Sequence, residues 1–188
     1  MFGRVLWGNL QDVLTEDANF TYYRFLQGLV SVIGAKGILE IGTHWGGSAR
    51  AMARGVKEGG KIVTVDIGTE SDAVLPTCAE SGMIQKIVGD ANSIEVIDQV
   101  NAALPGADMI YIDAEHTALP TLQSLAVYST LLRPKVVVFD DIALNESMAH
   151  FWKLARQIYP DRSIDCVEVE PAIREADVGF GLIYTPAG

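Results

Sequence analysis

The sequence predicts an α/β fold, a doubly wound, mostly parallel seven-stranded sheet with helices on both faces and a C-terminal antiparallel hairpin. Three observations lead there. Apolar runs of strand length alternate with helical segments at about 25 residues per unit, the rhythm of right-handed βα crossovers. The run VVVF from Val136 is continuously apolar and β-branched, so it expects cover on both faces, as in a parallel sheet. The last two runs are separated only by PAIREA, too short for a helical crossover, so they should pair antiparallel.

The five parallel strands are GILEIG from Gly37, KIVTVDI from Lys61, IQKIVGD from Ile84, ADMIYIDA from Ala107 and KVVVFDDI from Lys135. Helices are expected near Ser48–Lys57, Ser71–Ser81, Ser93–Ala103, Thr117–Leu132 and Asn145–Tyr159, the last ended by Pro160. SIDCVEVE and DVGFGLIYT form the hairpin. Ahead of the first strand, Phe20, Tyr23, Leu26, Val30 and Ile33 recur at helical spacing, so residues 1–36 read as a helical segment packed on the sheet. With no repeat and no linker composition, residues 1–188 read as one domain.

Composition narrows the function. The net charge of −10 comes with no basic stripe, which argues against nucleic acid as a partner. The same acidic excess suits a protein that holds divalent cations, and solubility explains it equally well. No apolar run is long enough to cross a bilayer, and the N-terminus lacks the core of a secretory signal. Cys78 and Cys166 are too few and too scattered for a disulfide framework or a thiolate metal site, so a cytoplasmic address is expected.

The segment Ile38-Leu39-Glu40-Ile41-Gly42-Thr43-His44-Trp45-Gly46-Gly47-Ser48 runs from a strand through glycines into a helix. Glycines there let backbone approach a ligand, and the helix start offers unpaired N–H groups. A dinucleotide fingerprint wants G-x-G-x-x-G and a phosphate loop wants Gly-Lys-Ser/Thr; neither is present. Asp66 ends the second strand, 24 residues after Gly42, where a carboxylate can accept from ribose hydroxyls. Gly89-Asp90-Ala91 ends the third strand. Asp66 or Asp90 taken singly also suits a helix cap; three successive strand ends with suitable groups point to a nucleoside ligand.

Gly42-x-x-x-Gly46 with Glu40 ahead resembles motif I of class I S-adenosylmethionine-dependent methyltransferases, acid-x-Gly-x-x-x-Gly, a family with a Rossmann-like sheet. The resemblance implies that Glu40 helps hold the methionine part of S-adenosylmethionine and that Gly89-Asp90-Ala91 lies beside the adenine. Contacts to this cofactor are expected over Glu40, Gly42, Thr43, Gly46, Gly47, Ser48, Asp66, Ile67, Gly89, Asp90, Ala91 and Asp113.

Asp113, Glu115 and His116 close the fourth strand, and Asp140 and Asp141 the fifth. Carboxylates converging on one rim repel unless protonated, hydrogen-bonded or bridged by a hard cation such as Mg²⁺. IDAEHT followed by LLRPKVVVFDDI resembles the metal-dependent O-methyltransferases, particularly the small bacterial branch related to macrocin O-methyltransferase and cephalosporin hydroxylase-like proteins. Catechol and caffeoyl-CoA O-methyltransferases share the layout more distantly. The likeness runs from about Gly37 to the hairpin. It implies a divalent metal on Asp113, Asp140 and Asp141 and a small hydroxylated acceptor. The catechol-type lysine base has no counterpart here; His116, three residues past Asp113, is the substitute, since imidazole titrates near neutral pH. Trp45 and His150 read as packing residues.

A nicotinamide-dependent oxidoreductase on a similar fold and a non-catalytic S-adenosylmethionine-binding module are the alternative functions. So short a chain could complete its pocket from a neighbour, which is compatible with a homodimer.

Overall fold

A computed structural model describes residues 21–166 and 179–185. Seven strands form one sheet: β1 (Gly37–Ile41), β2 (Lys61–Asp66), β3 (Ile84–Val88), β4 (Met109–Ile112), β5 (Val136–Phe139), β6 (Ser163–Asp165) and β7 (Gly181–Tyr184). Their order is β3-β2-β1-β4-β5-β7-β6. β1 to β5 run parallel, and β7 pairs antiparallel with both β5 and β6. The winding therefore reverses between β1 and β4, the switch point where open α/β sheets leave a crevice beyond the strand ends.

The helices are α1 (Thr21–Ile33), α2 (Gly47–Gly55), α3 (Ile94–Ala103), α4 (Ala118–Leu132) and α5 (Glu146–Ile158). Side chains alternate across each strand, so the sheet feeds two cores. Leu39, Val63, Ile110, Val137 and Phe139 pack under α3, α4 and α5; Ile38, Ile62, Met109, Val136 and Val138 pack under α1 and α2. Ser93 and Asn145 cap α3 and α5, accepting from the N–H groups of Val96 and Met148. No helix among the described residues is long and apolar enough to cross a membrane.

Several expectations need amending. The helix expected over Ser71–Ser81 is three short 3₁₀ turns, Glu70–Ala73, Leu75–Thr77 and Ser81–Met83. Pro76 is the reason: it has no N–H to donate, and its ring would strike the carbonyl of residue 72 in a continuous α-helix. The chain takes i→i+3 bonds instead, including Val74 N–H to the Ser71 carbonyl and Thr77 N–H to that of Val74. Trp45, 58% exposed with its ring against that of His44, and His150, also exposed, do not pack into the core. In the first helix Leu26 and Val30 are fully buried, whereas Tyr23 is half exposed. Phe20 and residues 167–178, which join the two hairpin strands, lie outside the described residues.

α1 and α2 approach closely because Gly55 carries no side chain. A Cβ there would stand 2.3 Å from the Gln27 carbonyl oxygen and 3.1 Å from Val30 Cβ. Helix propensity favours Gly55→Ala by about 1 kcal/mol, but forcing a methyl against backbone costs about 1–3 kcal/mol. Gly55→Ala should therefore lower stability in denaturant unfolding, and a rise would mean the two helices part freely.

Candidate active site

The crevice begins where β1 turns. Gly42 has φ of +103°, and a Cβ on it would lie 1.9 Å from the Asp113 carbonyl oxygen. Only glycine lets the β1 turn meet the end of β4. Gly42 N–H donates to the Val65 carbonyl, and Asp113 N–H to that of Ile41, so three strand ends are tied at one point.

Asp66 sets the next part of the loop. Its Oδ2 accepts from the N–H groups of Thr43 and His44, both at 2.7 Å, and its Oδ1 from Gly68 N–H at 2.8 Å. Burial alone would raise this carboxyl, but the amides of Gly68, His44 and Thr43, with Lys86, outweigh it and hold the group below its usual range. Asp66 thus clamps the glycine loop while lining the crevice.

Glu40 lies beneath the loop, fully buried. Thr64 Oγ1 donates to Glu40 Oε2 and lies 2.6 Å from Thr43 Oγ1, so the hydroxyl of Thr43 donates onward to that of Thr64. Burial pushes the Glu40 carboxyl up to about 8; the hydroxyls of Ser48 and Thr64 oppose this, and the charges of Asp113 and Asp66 add to it. At neutral pH Glu40 is an uncharged acid under the loop.

A cavity of about 490 Å³ runs across these strand ends. Of the residues expected to contact a cofactor, Gly42, Asp66, Ile67, Gly89, Asp90, Ala91 and Asp113 line it. Glu40, Thr43, Gly46, Gly47 and Ser48 do not line it. Gly46, in the left-handed region, packs toward Leu75, and Gly47 leaves room for the Tyr23 hydroxyl. Asn92, Pro120, Thr121 and Ser124 also line the cavity and escaped sequence reading. The available signal was the row Thr121, Ser124, Tyr128, which puts polar atoms at helical spacing along one side of α4.

At the other end, His116 Nε2 lies 2.9 Å from Asp141 Oδ2 and 3.3 Å from Asp113 Oδ1. One ligand atom from each of Asp113, His116 and Asp141 lies within 4.8 Å of the others. Asp140 stands behind them, 8% exposed, with Oδ2 accepting from the Tyr111 hydroxyl at 2.9 Å and Oδ1 from Asp141 N–H at 2.8 Å. The Tyr111 hydroxyl also lies 3.1 Å from Asp113 Oδ2 and so ties the β4 and β5 acids together. Burial, then the charges of Asp113 and Asp141, push Asp140 up to about 7. His116 is raised, first by its hydrogen bond to Asp113, against burial and with the charges of Asp141, Asp113 and Asp140. Two carboxylates at this spacing, with an imidazole beside them, are a donor set that fits a divalent cation. Glu115, His116, Asp141 and, across the crevice, His44 hold left-handed backbone, φ of 58°, 41°, 56° and 44°. Non-glycine residues reach that region at an energetic cost, and its concentration at one rim marks a functional site.

The buried acid makes a pH prediction. Glu40 keeps its proton in the folded chain up to about 8, against 4.5 for the ordinary group, so the folded state binds more protons between those values. Its contribution is whole below pH 4.5 and declines as pH rises toward 8, with a slope of at most about 1.4 kcal/mol per unit. Glu40→Gln should flatten this decline in unfolding curves taken across the window; parallel curves would mean Glu40 is not buried as an acid.

Comparison with known proteins agrees with this layout. Residues 13–168 match the family model described as O-methyltransferase. Caffeoyl-CoA O-methyltransferase 2 of Petunia hybrida is 33% identical over 97 residues, 49% of this chain and 40% of that protein. The match thus spans well under half the length of such curated relatives. Among solved structures, an O-methyltransferase from Bacillus cereus in complex with SAH superposes with TM-score 0.68 at 22% identity, over 97% of this chain and 90% of that one. The O-methyltransferase TomG from Streptomyces achromogenes, in complex with SAM, gives 0.67 at 21% identity over 87% and 79%. At such identities these two likenesses establish the fold. The match over 13–168, which covers most of the sequence, establishes more: the chain belongs to the O-methyltransferase family.

Proposed function

We propose that this protein transfers a methyl group from S-adenosylmethionine to a hydroxyl oxygen of a small molecule, assisted by a divalent cation. The observation that carries the reading is one continuous cavity with the β3 loop at one end and the Asp113, His116, Asp141 cluster near the other. Family membership supports the transfer chemistry.

In this reading Gly89, Asp90 and Ala91 take the adenine, Asp66 and Ile67 the ribose, and the Gly42 turn the methionine part, backed by Glu40, Thr43, Gly46, Gly47 and Ser48. Asp66, already fixed by three amides, anchors the donor without swinging. The neutral Glu40 adds no charge beneath the sulfonium. The acceptor lies toward Asp113 and His116, so that its oxygen stands in line with the S–CH₃ bond. An oxygen lone pair forms the new O–CH₃ bond, the S–CH₃ pair returns to sulfur, and S-adenosylhomocysteine leaves. The hydroxyl proton passes to His116 Nδ1, since Nε2 already faces the carboxylates of Asp113 and Asp141. Asp113 and Asp141 would hold the cation, with Asp140 and Tyr111 buttressing them; when bound it supplies Lewis acidity that lowers the hydroxyl pKa.

Two outcomes test this. On a panel of diols, phenols and sugars, methyl transfer should require the cation and fall at least a hundredfold in Asp113→Ala or with chelator; turnover indifferent to both would remove the metal. His116→Gln should lower kcat by about 10²–10⁴ while S-adenosylhomocysteine binding, read by calorimetry, stays near wild type. An unchanged kcat would leave the proton to another acceptor.

A further inference from the structure

The β3 end of the cavity is held from behind by α4. Ser124 and Tyr128 stand one helical turn apart, on the face toward the loop that follows β3. The Tyr128 hydroxyl, fully buried, donates to the Ala91 carbonyl at 2.6 Å. Ser124, 2% exposed, donates through Oγ to Asn92 Oδ1 at 3.1 Å. With its oxygen committed to Ser124, the Asn92 amide aims Nδ2 toward the Pro120 carbonyl, 3.5 Å away. Inside the loop, Asp90 Oδ1 accepts from Asn92 N–H at 2.8 Å and the Asp90 carbonyl from Ser93 N–H at 3.0 Å. Burial and the nearby Asp90 charge push Tyr128 up to about 12, so its phenol keeps the proton it donates.

The loop is therefore fixed at two places by α4, once through its backbone and once through a side chain. Asp90 lines the cavity, and with Oδ1 bound to Asn92 N–H its other oxygen is left for a ligand. An exocyclic amine donates to that oxygen. A 6-oxo group would set oxygen against carboxylate, and the ties of Ala91 and Asn92 to α4 keep the loop from turning that carboxylate away. A site with committed polar groups rejects a mismatched analogue strongly, provided the groups cannot rotate away.

The geometry points to Tyr128 and Ser124 as positioning residues that give the donor pocket its preference for a 6-aminopurine over a 6-oxopurine. This rests on the cavity being the S-adenosylmethionine site. Neither residue need touch the donor's reacting atoms; both act through Ala91 and Asn92.

The test is calorimetric binding of S-adenosylhomocysteine and its hypoxanthine counterpart, S-inosylhomocysteine, to wild type, Tyr128→Phe and Ser124→Ala. Wild type should prefer the adenine compound by about a hundredfold or more. Tyr128→Phe should shrink that ratio about tenfold, and Ser124→Ala about threefold. Equal losses for both compounds, with the ratio intact, would make the two bonds merely structural and overturn the inference. Ser124→Ala carries the same readout should Tyr128→Phe not fold. Failure of wild type to bind either compound overturns the donor site itself, and is seen before any variant is compared.

Discussion

The site depends on one close approach, the β1 turn at Gly42 against the end of β4 at Asp113. No side chain fits between them, because a Cβ on Gly42 would overlap the Asp113 carbonyl. That contact sets the glycine loop beside the acids of β4 and, through β4's pairing with β5, beside Asp140 and Asp141. Everything proposed for donor and acceptor assumes these two groups of residues share one crevice. The reversal of winding between β1 and β4 opens that crevice, and the glycine brings its walls together.

Five carboxyl groups crowd this rim, and the structure treats them differently. Asp66 receives three amide hydrogens and is held charged. Glu40 receives hydroxyls in a fully buried place and is held neutral. Asp140 is buried beside two acids and rises, while the more open Asp113 and Asp141 face His116. The division follows from solvent and donors, since all five are the same functional group. It leaves charge where a cation or a ribose would use it, and removes it beneath the loop where it would serve nothing.

The rim is also where the backbone is least relaxed. Left-handed φ at His44, Glu115, His116 and Asp141 aims side chains that a regular strand exit would send elsewhere. The buried Tyr111 hydroxyl between Asp113 and Asp140, the Asp66 clamp and the α4 contacts to Ala91 and Asn92 hold that arrangement from behind. A set of polar groups fixed before a ligand arrives loses less on binding than one that must be ordered then.

The positions of the strands and of most helices along the chain, and the chemical character of each strand end, were legible in the sequence, because periodicity and β-branching act locally. The glycine spacing and the acids at 40, 66, 90, 113, 140 and 141 are visible in the same way. Pro76 was visible too, yet its consequence, three short turns in place of a helix, was not drawn from the apolar spacing alone. Tertiary structure decided which acids stand exposed and which are buried, that Asp140 turns to Tyr111 while Asp141 turns to His116, and that Ser124 and Tyr128 reach the β3 loop from 32 and 37 residues away in sequence. Those are contacts between distant segments. Their existence depends on burial and on where the sheet reverses, and neither is written in any short stretch of chain.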